Sequence, residues 1–318
     1  MTISYTFLHN VLVPHTAFTD GVARLSYFLD QEPSTMIEPE IIALVGPTGT
    51  GKSRLLETVK RAHKAMRTGD GINKPIVMES VPAKPTIKGV GDLLLKNLDP
   101  DDTRRYTENE MTRRIKVLMR NCGTQMLIID EFQHFYDKTN KKVWHHVTDW
   151  LKILVDDVGC ILVVSGLEEC LAVIYQNPQL KSRCRQKIVL PQFLWHIDDH
   201  KSQFIAILGG FKDALAEKGL SLPDLRDDKW AFRCYCATGG LLRYIKKLLS
   251  EVIIGANIKN QNSALELDDF AKAYERSIGT FQEESFGIMP FDPNLSFGWT
   301  PELAMRVKKL AEYSQTEQ

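Results

Sequence analysis

The 318-residue chain has no net formal charge, with 40 Lys and Arg against 40 Asp and Glu. Spread evenly, that balance would offer no field to attract a polyanion. A metal or disulfide framework is also missing. The six cysteines, Cys122, Cys160, Cys170, Cys184, Cys234 and Cys236, contain no C-x-x-C pair, and several sit in apolar runs, which reads as buried thiols. The histidines are scattered, and the adjacent His145 and His146 point to different sides of a helix, which disfavours a shared metal. No segment approaches the roughly 18 consecutive apolar residues of a membrane span. Met1 to His15 lacks the basic-then-apolar layout of a signal peptide, so the expectation is a cytoplasmic protein with no membrane partner. Internal repeats and low-complexity tracts are absent as well.

What is present is the composition of a folded protein, 43% hydrophobic and 25% charged. At about 150 residues per domain the length suggests two domains. Pro14, Pro33 and Pro39 punctuate a small N-terminal extension over residues 1–40. Ile41 to Val45 is an unbroken apolar run that ends at Gly46 and precedes a helical stretch from Lys52 to about Met66. This is the pattern of a buried parallel strand feeding a helix. Strand signals recur at Pro75–Glu79, Met126–Ile129, Cys160–Val164 and Lys187–Leu190, with helical spacing between them. That alternation predicts an α/β domain over residues 41–192, with a five-stranded parallel sheet flanked by helices. After Pro191 only helical periodicity continues, giving an all-helical domain at 193–278. Residues 279–318 read as an irregular tail containing Phe281, Phe286, Phe291, Phe297 and Trp299.

Gly46-Pro47-Thr48-Gly49-Thr50-Gly51-Lys52-Ser53 fits G-x-x-x-x-G-K-[ST] and lies between an apolar strand and a helix. The glycines let backbone N–H groups converge on phosphate oxygens, and the helix N-terminus adds its positive dipole end. Lys52 would reach the β- and γ-phosphates, and the Ser53 hydroxyl would ligate Mg²⁺. In Leu127-Ile128-Ile129-Asp130-Glu131, Asp130 ends a buried strand where it can hold the metal's water shell, and Glu131 is placed to orient the attacking water. Ser165, at the end of the fourth strand, is a candidate contact for the γ-phosphate or that water. Arg183 and Arg185 precede the fifth strand, and in an oligomer one of them could reach a neighbour's nucleotide, Arg183 being the first choice. Arg243 follows Gly239-Gly240 in the first turn of a helix, where a cation opposes the dipole unless an anion lies nearby.

The order GPTGTGKS, LIIDEFQHF, VVSG, QLKSRCR and TGGLLRYIKKLL resembles the AAA+ ATPases of the initiator and clamp-loader kind, and within them the TniB/TnsC regulators of bacterial transposition, including CRISPR-associated transposons. The resemblance spans roughly residues 35–275. It implies a P-loop ATPase that uses ATP and Mg²⁺ and assembles on double-stranded DNA as a homo-oligomeric ring or helical filament. It further implies partnership with a transposase and a TniQ-like targeting protein. By resemblance Ser165 is the first sensor, Arg183 the finger and Arg243 the second sensor, although Ser165 stands where Asn or Thr is more usual. A DEAD/DEAH helicase is excluded, because the remaining helicase motifs and a second such domain are missing.

The neutral total hides a local imbalance. Lys60 to Arg120 holds 14 basic and 8 acidic side chains. Non-specific duplex binding needs basic groups on phosphates, and about one per subunit suffices once an oligomer repeats the contact along the helix. Lys84, Thr86 and Lys88 are the first candidates, followed by Arg104, Arg105, Arg113 and Arg114. The aromatic tail either packs on its own helical domain or docks on a partner. Two alternatives to a transposition regulator stand: an initiator- or clamp-loader-type remodelling ATPase, and a nucleotide-gated interaction scaffold.

Overall fold

A computed structural model describes residues 3–31, 39–69, 71–82, 85–135, 141–259, 265–279 and 288–316. In chain order its elements begin with α1 (Phe7–Asn10), α2 (Thr16–Leu29), β1 (Ile41–Val45), α3 (Lys52–Ala62), β2 (Met66–Thr68), β3 (Gly71–Asn73) and β4 (Ile76–Ser80). They continue with α4 (Ile87–Leu98), α5 (Glu108–Asn121), β5 (Met126–Asp130), a 3₁₀ turn (Phe132–Phe135), α6 (Lys141–Val158), β6 (Ile161–Gly166), α7 (Glu169–Gln176), α8 (Pro178–Arg183) and β7 (Cys184–Val189). The helices α9 (Asp198–Ala216), α10 (Asp228–Thr238), α11 (Leu242–Lys259), α12 (Leu267–Ser277) and α13 (Pro301–Thr316) follow. The chain divides into a sheet unit, Ala17–Gly46 with Lys52–Leu190, and a helical unit, Met1–Thr16, Pro47–Gly51 and Pro191–Gln318.

The sheet unit bears out the expected fold class. Its five strands are parallel in the order β4-β5-β6-β1-β7. Every residue of β1, β5 and β6 is buried, and alternation sends successive side chains to opposite faces. Ile41, Ala43, Val45, Leu127, Ile129, Leu162 and Val164 enter one core with α4, α5 and α6. Ile42, Leu44, Ile128, Ile161 and Val163 enter the other with α2 and α3. Burial on both faces explains why these strands read as unbroken apolar runs, each such side chain contributing about 1.5–3 kcal/mol. Parallel pairing puts the exits of β1, β5 and β6 on one sheet edge, with Leu44 opposite Ser165, Val45 opposite Gly166 and Ile129 opposite Val164.

Two features of this unit depart from expectation. The helix expected to run to about Met66 ends at Ala62, and the chain then forms the antiparallel hairpin β2–β3. All six strand residues are exposed, so no buried alternation announces them. The N-terminal extension is also not one element: Ala17–Leu29 belongs with the sheet unit through Phe18, Leu25 and Leu29, whereas Leu8 joins the helical core.

In the helical unit α10 is buried from Ala231 to Thr238, and Asp227 caps its N-terminus by accepting from Lys229 and Trp230 N–H groups. The tail, expected to be irregular, contains α13. Pro301 opens it, and Leu303, Val307 and Leu310 bury one stripe at helical spacing. The described tail aromatics pack on their own unit: Phe291 on Phe270 at 5.6 Å, Phe297 on Phe232 at 5.6 Å and Trp299 on His196 at 4.7 Å between ring centroids. Arg233 donates to the Pro290 carbonyl at 3.2 Å, and Arg306 to the Cys236 carbonyl at 2.7 Å, fastening tail to helices. Phe281 and Phe286 lie outside the described residues. All six cysteines are free, and burial pushes the Cys160, Cys234 and Cys236 thiols up to about 12. Among the described residues no cluster of three metal-ligating side chains occurs, and no helix is long and apolar enough to cross a membrane.

Candidate nucleotide site

The turn after β1 is built by two left-handed glycines, Gly49 (φ 81°) and Gly51 (φ 102°), conformations costly for other residues. Thr50 Oγ1 donates to the Pro47 carbonyl at 2.9 Å and closes the turn. Pro47–Gly51 belongs to the helical unit, where the backbone N–H of Arg243 donates to the Gly49 carbonyl at 3.1 Å. The first turn of α11 therefore abuts this loop, with the Arg243 side chain exposed. In the sheet unit, Lys52 Nζ donates to the Gly46 carbonyl at 2.8 Å. Lys52 is 7% exposed, and this burial lowers its pKa despite the opposing pull of Glu131 and Asp130.

Ser53, in the first turn of α3, donates through Oγ to Asp130 Oδ2 at 2.8 Å. A hydroxyl and a buried carboxylate converging at a strand exit are the oxygen donors a hard divalent cation requires, and Mg²⁺ commonly takes few protein ligands alongside phosphate oxygens. The residues present therefore fit Mg²⁺-nucleotide. Asp130 Oδ1 accepts from the Glu131 N–H at 2.9 Å, and its carbonyl accepts from Val81 at 3.0 Å, so both ends of the residue are pinned.

Glu131 follows in the left-handed region at φ 57°, the only non-glycine residue there among those described. Such a conformation costs about 1–3 kcal/mol and persists only where its surroundings impose it. Here Phe132 and Phe135, each 1% exposed and edge-to-face at 4.9 Å, anchor the turn that follows. Glu131 therefore leaves β5 with a backbone turn at the strand exit, directly after Asp130. Ser165, fully buried at the exit of β6, has a hydroxyl with no hydrogen-bond partner among the described residues. Gln133, which sequence reasoning gave no role, donates through Nε2 to the Glu131 carboxylate and accepts through Oε1 from the Leu167 N–H at 3.1 Å. No spacing rule marks that residue, since its partners come from two strand exits.

The arginine candidates carry internal partners. Arg183 is paired with Asp156, and the exposed Arg185 with Glu40. Among the candidate DNA contacts, Arg104 is paired with Asp102 at 2.7 Å and Arg114 with Asp99 at 2.8 Å. Asp102 is held well below the usual carboxylate range by Arg104 and the Tyr106 hydroxyl. Thr86 is exposed, but its hydroxyl caps α4 by accepting from the Gly89 N–H at 3.0 Å, a structural task the sequence reading did not assign. Lys88, Arg105 and Arg113 are exposed; Lys84 lies outside the described residues.

Residues 7–194 match the family described as Bacterial TniB protein. No curated protein sequence matches the chain. Among solved structures, the ORC2 protein of Aeropyrum pernix in ADPNP–ADP complexes is similar at 16% identity and a TM-score of 0.61, covering 85% of this chain and 70% of that one. Cdc6p from Pyrobaculum aerophilum is similar at 16% identity and a TM-score of 0.62, covering 98% and 84%. The ORC1 protein of Aeropyrum pernix in complex with DNA gives 15% identity and a TM-score of 0.58, covering 96% and 81%. At these identities the likeness is one of fold, the AAA+ arrangement of a five-stranded parallel sheet followed by a helical part. The family match takes in the phosphate loop, the Asp130-Glu131 exit, Ser165 and Arg183, and on that ground the chain belongs to the TniB family.

Proposed function

We propose that this protein is an ATP-dependent regulator of DNA transposition, which oligomerises on duplex DNA as a ring or filament. It would link target-site selection by a TniQ-like protein to transposase recruitment, and hydrolyse ATP to disassemble or reset. The observation that carries the ATPase reading is the Ser53–Asp130 contact at 2.8 Å, with Glu131 the next residue at the strand exit in the left-handed region. Support for DNA comes from the TniB family, from the similar ORC1 solved in complex with DNA, and from the basic excess between Lys60 and Arg120.

When bound, Mg²⁺ supplies charge neutralisation to the phosphates. Lys52 and the N–H groups of Gly49 to Ser53 bind and orient the phosphate chain, and Ser53 and Asp130 would hold the metal. Glu131 accepts a proton from the attacking water at its carboxylate, and Ser165 orients that water or the terminal phosphate. Arg183, released from Asp156, reaches a neighbouring subunit's site, with Arg185 as the other choice, and Arg243 contacts phosphate. Lys84, Thr86, Lys88, Arg104, Arg105, Arg113 and Arg114 supply the duplex contacts, Arg104 and Arg114 by exchanging their carboxylates for phosphate. A regulator of this kind would act in the cytoplasm.

Electron microscopy of the full chain with a non-hydrolysable ATP analogue and duplex DNA tests this function. Continuous decoration of the duplex is expected. Discrete rings at ends or junctions would favour a remodelling ATPase of the initiator or clamp-loader kind, and no DNA-dependent assembly would leave the scaffold reading in its place.

A further inference from the structure

Gln133 sits on the 3₁₀ turn after the strained Glu131, between the buried anchors Phe132 and Phe135. Its amide uses both ends. Nε2 donates to the Glu131 carboxylate, while Oε1 accepts from the Leu167 N–H at 3.1 Å and lies 3.6 Å from Cys170 Sγ. Leu167 is the first residue after β6, two positions beyond Ser165. The fit around the amide is close: a Cβ built on Gly166 would come within 2.0 Å of Oε1 and 2.6 Å of Cys170 Sγ. Gly166 lies in the extended backbone of β6, so its lack of a side chain serves this approach and not a left-handed turn.

We propose that Gln133 is a positioning residue that fixes the orientation of the Glu131 carboxylate against the exit of β6 at Ser165–Leu167, so that displacement of that exit is transmitted to the group that activates water. The chemistry selects this side chain. Donation to a carboxylate and acceptance from a backbone N–H require an amide, and spanning both partners requires glutamine's length. A glutamate would set a second carboxylate against Glu131, an asparagine would fall short, and a methionine would fill the volume without either bond. Because β5 and β6 are adjacent and in register up to Ile129 and Val164, the Gln133 bridge joins their two exits just beyond the last paired residues. The proposal rests on the reading of Glu131 as the water-activating group.

The test is steady-state ATP turnover by the full-length protein with Mg²⁺ and duplex DNA, for wild type, Glu131→Gln, Gln133→Met, Gln133→Glu and Gly166→Ala. Gln133→Met and Gln133→Glu are expected to lower kcat by about 10- to 100-fold, with KM for ATP within about twofold of wild type, as for a misoriented catalytic group. Gly166→Ala, whose added methyl displaces the amide, is expected to give the same loss, and the double variant Gly166→Ala/Gln133→Met no further loss, since both remove one interaction. Nucleotide binding and the thermal transition serve as the folding control. Should Gln133→Glu fail to fold, Gln133→Met and Gly166→Ala decide alone. A Gln133→Met kcat within twofold of wild type, while Glu131→Gln abolishes turnover, would overturn the proposal and leave the parent reading intact. Wild-type turnover that Glu131→Gln does not reduce would instead remove the parent reading and this role with it.

Discussion

Glu131 is the point where conformation and chemistry conflict, and that conflict can be measured. At φ 57° an L-residue other than glycine carries roughly 1–2 kcal/mol of left-handed strain. Glu131→Ala and Glu131→Gly both delete the carboxylate and its bond from Gln133, so that loss cancels in a comparison between them. Alanine keeps the strain. Glycine relieves it but adds about 0.4–1 kcal/mol of unfolded-chain entropy. The net expectation is that Glu131→Gly is the more stable variant by about 0.5–1 kcal/mol, the reverse of the order found in ordinary helices and strands. With a urea m-value of about 2–3 kcal/mol/M, that corresponds to a midpoint higher by about 0.2–0.5 M. Neither variant should turn over ATP. Urea titrations of the two proteins side by side provide the assay. An alanine variant as stable as the glycine variant, or more so, would show that Glu131 is not held in the left-handed region, and the argument from its strain would fail.

Lys52→Ala is expected to lose Mg²⁺-ATP binding in a calorimetric titration and, with it, nucleotide-dependent assembly; normal assembly by this variant would contradict the role of the lysine. Replacing Lys84 and Lys88 together should weaken duplex binding on all sequences and flatten its salt dependence, whereas a base-specific loss would point to direct readout. Mixing Arg183→Ala with Glu131→Gln, which keeps nucleotide bound and lacks only the water-activating group, should restore part of the turnover if Arg183 acts across a subunit boundary; no recovery would contradict a role for Arg183 in trans. His15, 5% exposed and edge-on to Phe193 at 5.1 Å, has its pKa lowered to about 4 by burial and by His200. The unfolded chain therefore binds the extra proton, so the stability due to His15 is complete above pH 6.5 and falls as pH drops toward 4, by at most about 3 kcal/mol. His15→Phe should reduce that slope in urea titrations at pH 5 and pH 7, and an unchanged slope would assign the acid loss to other groups.

The parts of this molecule legible in its sequence are those whose physics is local or repetitive. Ile41–Val45, Met126–Ile129 and Ile161–Val164 announced themselves because both faces of a parallel sheet are covered, which leaves no polar position in the run. The phosphate loop was legible because two left-handed glycines, a lysine and a hydroxyl must stand at set spacings. The β2–β3 hairpin left no mark, being exposed at every strand position, and α13 was masked by the prolines that precede it. Partnerships across the fold were also hidden. Arg104, Arg114 and Arg183 read as available cations, yet each meets an aspartate, two of them within a short loop-helix segment and one from the far end of α6. Gln133 gains its task only because β6 brings a glycine and a backbone N–H to its amide, a juxtaposition that no linear spacing encodes.

The central claim is that Lys52, Ser53, Asp130 and Glu131 form one site that hydrolyses ATP. Phosphate release by the full-length protein with Mg²⁺-ATP, with and without duplex DNA, compared between wild type and Glu131→Gln, tests it most directly. Wild type is expected to release phosphate in at least one condition, and Glu131→Gln to bind nucleotide with turnover reduced by about 10²–10⁴-fold. No release by wild type in either condition, or equal rates for the two proteins, would contradict it.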